Sequence, residues 1–229
     1  MIILTLKKKD YFQIQNGKKN NLGKGWVLGE TLITGIGQGY TQTTPLQLCM
    51  MTAQIANGGY AIKPKIIVDS NPVSYEDAKQ SMESGLSFDT ESEELLDKKL
   101  FKNQKNIKIV QEAMFASTNE RFGTSYKSRI DDPKYQFAGK TGTAQVKRIS
   151  KRERELDLEL EQIPYKDRDH ALYVAYGPYV NPRYALSIIV EHGGSGSKAA
   201  APIAKKLFKL IIDRHDLRNK QSNFERITV

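Results

Sequence analysis

Two apolar, β-rich runs, Ala171 to Tyr176 and Tyr184 to Glu191, flank the segment Gly177-Pro178-Tyr179-Val180-Asn181-Pro182, and this arrangement narrows the possible folds more than any other. Short runs of branched and aromatic residues joined by turn formers read as an antiparallel hairpin with an extended turn. A third such run, Tyr135 to Val146, precedes them, and a helix is predicted behind them over Ala199 to Asp213, with Ile203, Leu207, Leu210 and Ile211 on its buried side. Three antiparallel neighbours flanked by helices predict the α/β (α+β) class, an antiparallel sheet with helices packed on it.

Helical signals also come earlier. Thr44-Pro45-Leu46-Gln47 has an N-cap, a proline at the first helical position and a glutamine placed for a capping box. Apolar residues from Leu46 to Ile55 surround the predicted helix widely enough to make it a central one. Asn57-Gly58-Gly59 supplies a left-handed stop, and Tyr60 to Val68 reads as a short strand around Pro64. Residues 69–104 lack a clean period and read as an insertion or small subdomain. A helix is predicted to resume over Asn106 to Asn119, with Ile107, Val110, Met114 and Ser117 on one face, before Gly123-Thr124-Ser125 turns the chain toward the Tyr135 run.

Composition excludes several function classes. The net charge of +9 suggests an anionic partner only if it is concentrated. Residues 1–24 carry six Lys against one Asp, residues 205–229 carry seven Lys or Arg against three acids, and the remainder is balanced. The surplus is a basic skirt at the two ends, which argues against nucleic acid as a partner. Residues 147–170 hold seven basic and seven acidic residues and read as a solvated helix or loop. The one cysteine, Cys49, allows no internal disulfide and no multi-cysteine metal site; neither metal nor cofactor is expected. No apolar run approaches the ~20 residues a membrane span needs. Met1 to Leu6 followed by Lys7-Lys8-Lys9 is too short for a signal sequence, so the chain as written is expected to remain in the cytoplasm.

The chemistry concentrates in Phe137 to Val146, F-A-G-K-T-G-T-A-Q-V. On a strand, Thr141 and Thr143 share a face while Lys140 points the other way or around the edge. Two hydroxyls and an ammonium suit a carboxylate. Gly142 lets a ligand backbone lie against the strand and pair with it, and the Thr143 amide is placed to help hold an oxyanion. Lys140, Thr141, Gly142 and Thr143 are therefore the candidate substrate-binding residues. A phosphate-binding loop is excluded because its first glycine falls on Lys134. Gly35-Ile36-Gly37-Gln38-Gly39 lacks the third spaced glycine of a dinucleotide fingerprint.

Enzymes that use a Lys-Thr-Gly strand carry a nucleophilic Ser-x-x-Lys and a Ser-x-Asn earlier in the chain. Ser195-Gly196-Ser197-Lys198 fits the first by letter but follows the strand, in a glycine-rich turn. Ser117-Thr118-Asn119 fits the second but ends a helix with no Ser-x-x-Lys ahead of it. His170, His192 and His215 show no spacing that assembles a Ser-His-Asp triad.

From Leu22 onward, the blocks G-K-G-W-V-L-G-E-T, G-I-G-Q-G-Y-T-Q-T-T-P-L-Q-L, A-N-G-G-Y, A-G-K-T-G-T-A-Q-V and E-H-G-G-S-G-S-K-A-A-A-P-I-A occur in the order of a known family. Together they resemble the C-terminal part of the transpeptidase domain of penicillin-binding protein 2, a peptidoglycan D,D-transpeptidase. The resemblance implies a partial serine β-lactamase-like, penicillin-binding transpeptidase fold over residues 22–215, with residues 1–21 a non-family segment and residues 216–229 a basic tail. It implies D-Ala-D-Ala stem peptides and β-lactams as ligands, elongation-complex proteins as partners, and a family that is inner-membrane anchored with a periplasmic domain. Lys140 would support proton movement near the nucleophile and be the catalytic residue of this stretch, with Thr141 and Thr143 holding the terminal carboxylate. The family's nucleophilic Ser, its Lys and its Ser-x-Asn have no matching positions here, so these 229 residues alone are expected to be inactive. The alternative is a non-catalytic interaction module of the cell-elongation machinery.

Overall fold

The structure, a computed structural model, describes residues 18–20, 23–35, 43–62, 64, 99–100, 103–147 and 158–227, with side chains described as far as Arg218. The chain divides into two compact units, Met1–Thr44 and Pro45–Val229. Most of the glycine pattern at 35–39, most of the strand expected over 60–68, the body of the 69–104 segment and the centre of the 147–170 segment lie outside the described residues.

In the first unit, helix α1 spans Leu28–Gly35. The Glu30 side chain accepts from the Val27 amide at 2.9 Å and pairs with the buried Lys18 ammonium, which also donates to Gly25 O at 2.7 Å. Lys18 thus ties the stretch before the helix to its first turn, where an acid is favoured by the exposed amides.

The second unit is built on three strands, β1 (Ala138–Ala144), β2 (His170–Gly177) and β3 (Tyr184–Val190), antiparallel in the order β1-β2-β3. This matches the expected hairpin and its third neighbour. The turn joining β2 and β3 contains Asn181 at φ 60° and a cis Gly177-Pro178 bond. Pairing sets Thr141 opposite Tyr173, Gly139 opposite Ala175 and Thr143 opposite Ala171 on one face, with Lys140 opposite Val174 on the other.

Helix α4 (Ala201–Ile227) covers the first face. Its Ala201, Ala204, Phe208 and Ile212 are fully buried, in one cluster with Phe137, Ala171, Tyr173 and Ala175. The sequence expectation named the wrong stripe, since Ile203 is 39% and Leu210 64% exposed. The alanines let the helix axis approach the sheet, and that approach fixes the rotation that turns Leu210 outward. The helix begins later than Ala199 because Gly196–Ala200 forms a π-helical turn before it, and it runs on to Ile227.

The other face is covered by α2 (Pro45–Ala56) and α3 (Gln104–Asn119). Met114 packs there with Ala138, Tyr176, Ile55, Phe115 and Val174, and Gln111 donates to Ile55 O at 2.7 Å, joining the two helices. The expected central helix is in fact a covering one. Thr52 is the one buried residue of α2, and Met51 stands 43% exposed. In α3 the buried positions are Ile107, Met114 and Thr118, so Val110 and Ser117 lie beside the packed stripe rather than in it. Asn103 caps this helix by accepting from the Lys105 amide. Gly58 and Gly59 follow α2 at φ 85° and 92°, the left-handed stop the sequence predicts.

Candidate functional site

The Lys-Thr-Gly-Thr stretch lies in β1, an edge strand of the sheet among the described residues. Lys140 is exposed and its ammonium donates to Thr141 O at 2.8 Å, curling around its own strand. An ammonium has three donors, and this bond uses one. Thr141 and Gly142 are half-buried and Thr143 is exposed. A Cβ built on Gly142 would sit 3.3 Å from Leu172 Cβ, so the glycine also gives room to its cross-strand neighbour.

The C-terminal end of α3 and the loop after it brace this strand. Asn119 Nδ2 donates to Phe137 O and Phe115 O, each at 3.0 Å, pinning the helix to the entry of β1. Tyr173 reaches across Gly139, where a Cβ would meet its hydroxyl at 2.4 Å, so only glycine fits. Beyond that crossing, Tyr173 Oη lies 3.0 Å from both Thr118 Oγ1 and Ser125 Oγ. Burial pushes the Tyr173 phenol up from its usual range, against the opposing pull of those two hydroxyls.

The same loop delivers a hydroxyl to the exposed side of β1. Gly123 passes so close to α3 that a Cβ would lie 2.3 Å from Ser117 O. Ser125 then bonds Ser117 O through both its amide and its hydroxyl, at 3.0 Å each. Between these two fixed points Thr124 is held with its Oγ1 3.2 Å from Ser117 Oγ and 3.2 Å from Thr141 Oγ1. Sequence reasoning sets Ser117-Thr118-Asn119 aside and misses Thr124. The only trace of it in the sequence is Gly123-Thr124-Ser125, a turn with a polar centre leading to the strand.

The Ser195 to Lys198 turn is also brought against β1. A Cβ on Gly196 would lie 2.4 Å from Leu172 O and 2.7 Å from Gly142 O, so the turn rests on the backbone of both strands at that glycine. Ser195 Oγ bonds Ser197 Oγ at 3.0 Å, and Lys198 meets Ser195 through its main-chain amide at 3.2 Å. His170 and His192, far apart in sequence, stand with ring centres 4.7 Å apart. His170 Nδ1 accepts from the His192 amide at 3.0 Å, which supports a tight turn with His192 at φ 54°. Cys49 Sγ donates to Ala185 O at 3.4 Å, and burial raises its thiol pKa. Among the described residues no group of three or more His, Cys, Asp or Glu is placed to hold a metal ion, and no described helix is long and apolar enough to cross a membrane.

Residues 5–209 match the model of the penicillin-binding protein transpeptidase domain. The peptidoglycan D,D-transpeptidase MrdA of Salmonella typhimurium is 32% identical over 190 residues, which cover 83% of this chain and 28% of that protein. MrdA of Haemophilus influenzae is 30% identical over 202 residues, 86% of this chain and 28% of that protein. Among solved structures, Pseudomonas aeruginosa PBP2 in complex with WCK 5153 superposes with a TM-score of 0.62 at 32% identity, over 86% of this chain and 36% of that one. Helicobacter pylori PBP2 in its complex with MreC gives 0.60 at 32% identity, over 86% of this chain and 30% of that one. The chain therefore spans between a quarter and two fifths of the length of these relatives.

Proposed function

Because the chain belongs to the penicillin-binding protein transpeptidase family, we propose that its β1 edge is the carboxylate-binding wall of a peptidoglycan D,D-transpeptidase site. The ligand is the terminal carboxylate of a D-Ala-D-Ala stem peptide, or the matching carboxylate of a β-lactam. The Lys140 ammonium balances that charge, and the Thr141 and Thr143 hydroxyls donate to it. Gly142 leaves the strand edge clear for the peptide backbone, and the Thr143 amide helps hold the oxyanion. The nucleophile and its base are supplied by a Ser-x-x-Lys that these 229 residues do not include in a usable place. Elongation-complex proteins are proposed as partners of the complete enzyme; the Helicobacter pylori relative forms a complex with MreC.

The observation that carries this reading is the exposed ammonium of Lys140, curled onto the Thr141 carbonyl of an edge strand. A strand whose outer side faces no neighbour is a template for an extended peptide. Hydrogen bonds to a charged partner contribute about 1.5–3 kcal/mol each, roughly twice a neutral one. An acylated Lys-D-Ala-D-Ala peptide with a free carboxylate is therefore expected to bind at least about tenfold tighter than the same peptide ending in an amide. Amide chemical shifts recorded during titration of the ¹⁵N-labelled chain check this, with the largest changes expected at Lys140 to Ala144. Equal affinity for the two peptides defeats the carboxylate reading.

A further inference from the structure

Ser117, Thr124 and Thr141 form a line of three hydroxyls at 3.2 Å spacings that starts at the end of α3 and finishes on β1. We propose that Thr124 is a positioning residue, which turns the Thr141 hydroxyl proton outward onto a bound carboxylate. The proposal rests on the carboxylate-binding role given above to β1, and extends it to residues outside the Lys-Thr-Gly stretch.

A hydroxyl has one proton to donate and lone pairs to accept with. Within the line, the direction of donation is open as long as no ligand is present. If Thr141 donates back to Thr124, it presents only lone pairs to the carboxylate, and two acceptors facing each other repel. If Thr124 instead donates to Thr141, the Thr141 proton is released toward the ligand, and Ser117 satisfies Thr124 in turn. A carboxylate selects the second arrangement, and polarisation along the chain of hydroxyls strengthens the last bond.

Geometry prepares this state. Gly123 packs on Ser117 O without room for a side chain, and Ser125 is tied to the same carbonyl by two bonds. Thr124 between them has little backbone freedom, so its hydroxyl is held in place before ligand arrives. Preorganisation of that kind lowers the ordering cost of binding. Thr124 itself is exposed and belongs to neither hydrophobic cluster, which separates its role from that of the buried Thr118 and Ser125.

The experiment titrates the unmodified chain, Thr124→Val and Thr124→Ser with the carboxylate-ended and amide-ended Lys-D-Ala-D-Ala peptides, with melting curves recorded alongside. Valine keeps the shape and removes the hydroxyl. Thr124→Val is expected to lose about fivefold in affinity for the carboxylate-ended peptide, with amide-ended binding and melting temperature unchanged. Thr124→Ser is expected to restore the carboxylate preference. A merely structural Thr124 would weaken both peptides together or lower the melting temperature, and that result overturns the proposal. So does a Thr124→Val chain that keeps the full preference while the unmodified chain shows one. Absence of any preference in the unmodified chain overturns this inference together with the carboxylate reading beneath it.

Discussion

Incubated with a fluorescent penicillin and run on a denaturing gel, the 229-residue polypeptide is expected to give no covalent band. Acylation requires a serine in contact with a base that accepts its proton, and loss of that unit in a serine hydrolase costs about a million-fold in rate. Among the described residues Ser195 and Ser117 lie beside the β1 strand, and the hydroxyl of each bonds another hydroxyl rather than a base. Ser195 Oγ faces Ser197 Oγ at 3.0 Å, and its contact with Lys198 is made by the main chain. Ser117 Oγ faces Thr124 Oγ1, another hydroxyl that does not act as a base at neutral pH. A labelled band that disappears in Ser195→Ala would overturn this expectation and make the turn before α4 a nucleophile site. A band that persists in both Ser195→Ala and Ser117→Ala would mean that some other hydroxyl has a base in contact.

What was legible in the sequence was what short-range chemistry decides. The β2–β3 hairpin is legible because residues 177–182 are turn formers, and the runs on either side are short, apolar and rich in branched and aromatic residues. Pro45 fixed the start of α2 and Gly58-Gly59 its stop, each by a backbone preference that needs no partner. Lys140 to Thr143 were legible for the same reason, since strand alternation by itself sorts Lys140 from the two threonines. The blocks from Leu22 onward added the family, which periodicity does not reach.

What the sequence concealed depends on how closely elements approach. Tyr173 crosses Gly139 to reach Thr118 and Ser125, so Thr118 is buried in α3 where the sequence reading puts Ser117. Thr124 meets Thr141 only because residues 120–128 close back on α3 through Gly123, and that contact joins positions 17 apart with no periodic signal between them. The pairing of His170 with His192 likewise needs β2 and β3 to be in register, Ala171 opposite Val190, before the two rings can meet.

The rotation of α4 was hidden for the same reason, and it leads to the largest stability effect expected of a single substitution here. Phe208→Ala should destabilise the fold by about 4 kcal/mol, within the roughly 3–5 kcal/mol typical of a buried phenylalanine cut to alanine. Phe208 is fully buried and stacks on Phe137 with ring centres 4.9 Å apart. A Cβ on Gly177 would come within 3.0 Å of its ring, so the sheet closes tightly on this side chain. Removing the ring leaves a cavity between α4 and the sheet that backbone on both sides keeps from collapsing. Leu210→Ala, which a reading from large aliphatic residues would rank as the more damaging, removes a side chain 64% exposed and should cost well under about 1 kcal/mol. Urea titration of the two variants separates the cases. Phe208→Ala should lower the midpoint steeply with an unchanged slope, and by itself it takes a large share of the roughly 5–15 kcal/mol that holds a domain together. Equal midpoints for the two variants would mean that α4 turns its leucine face to the sheet, and the Phe137–Phe208 stack would no longer be the centre of the core.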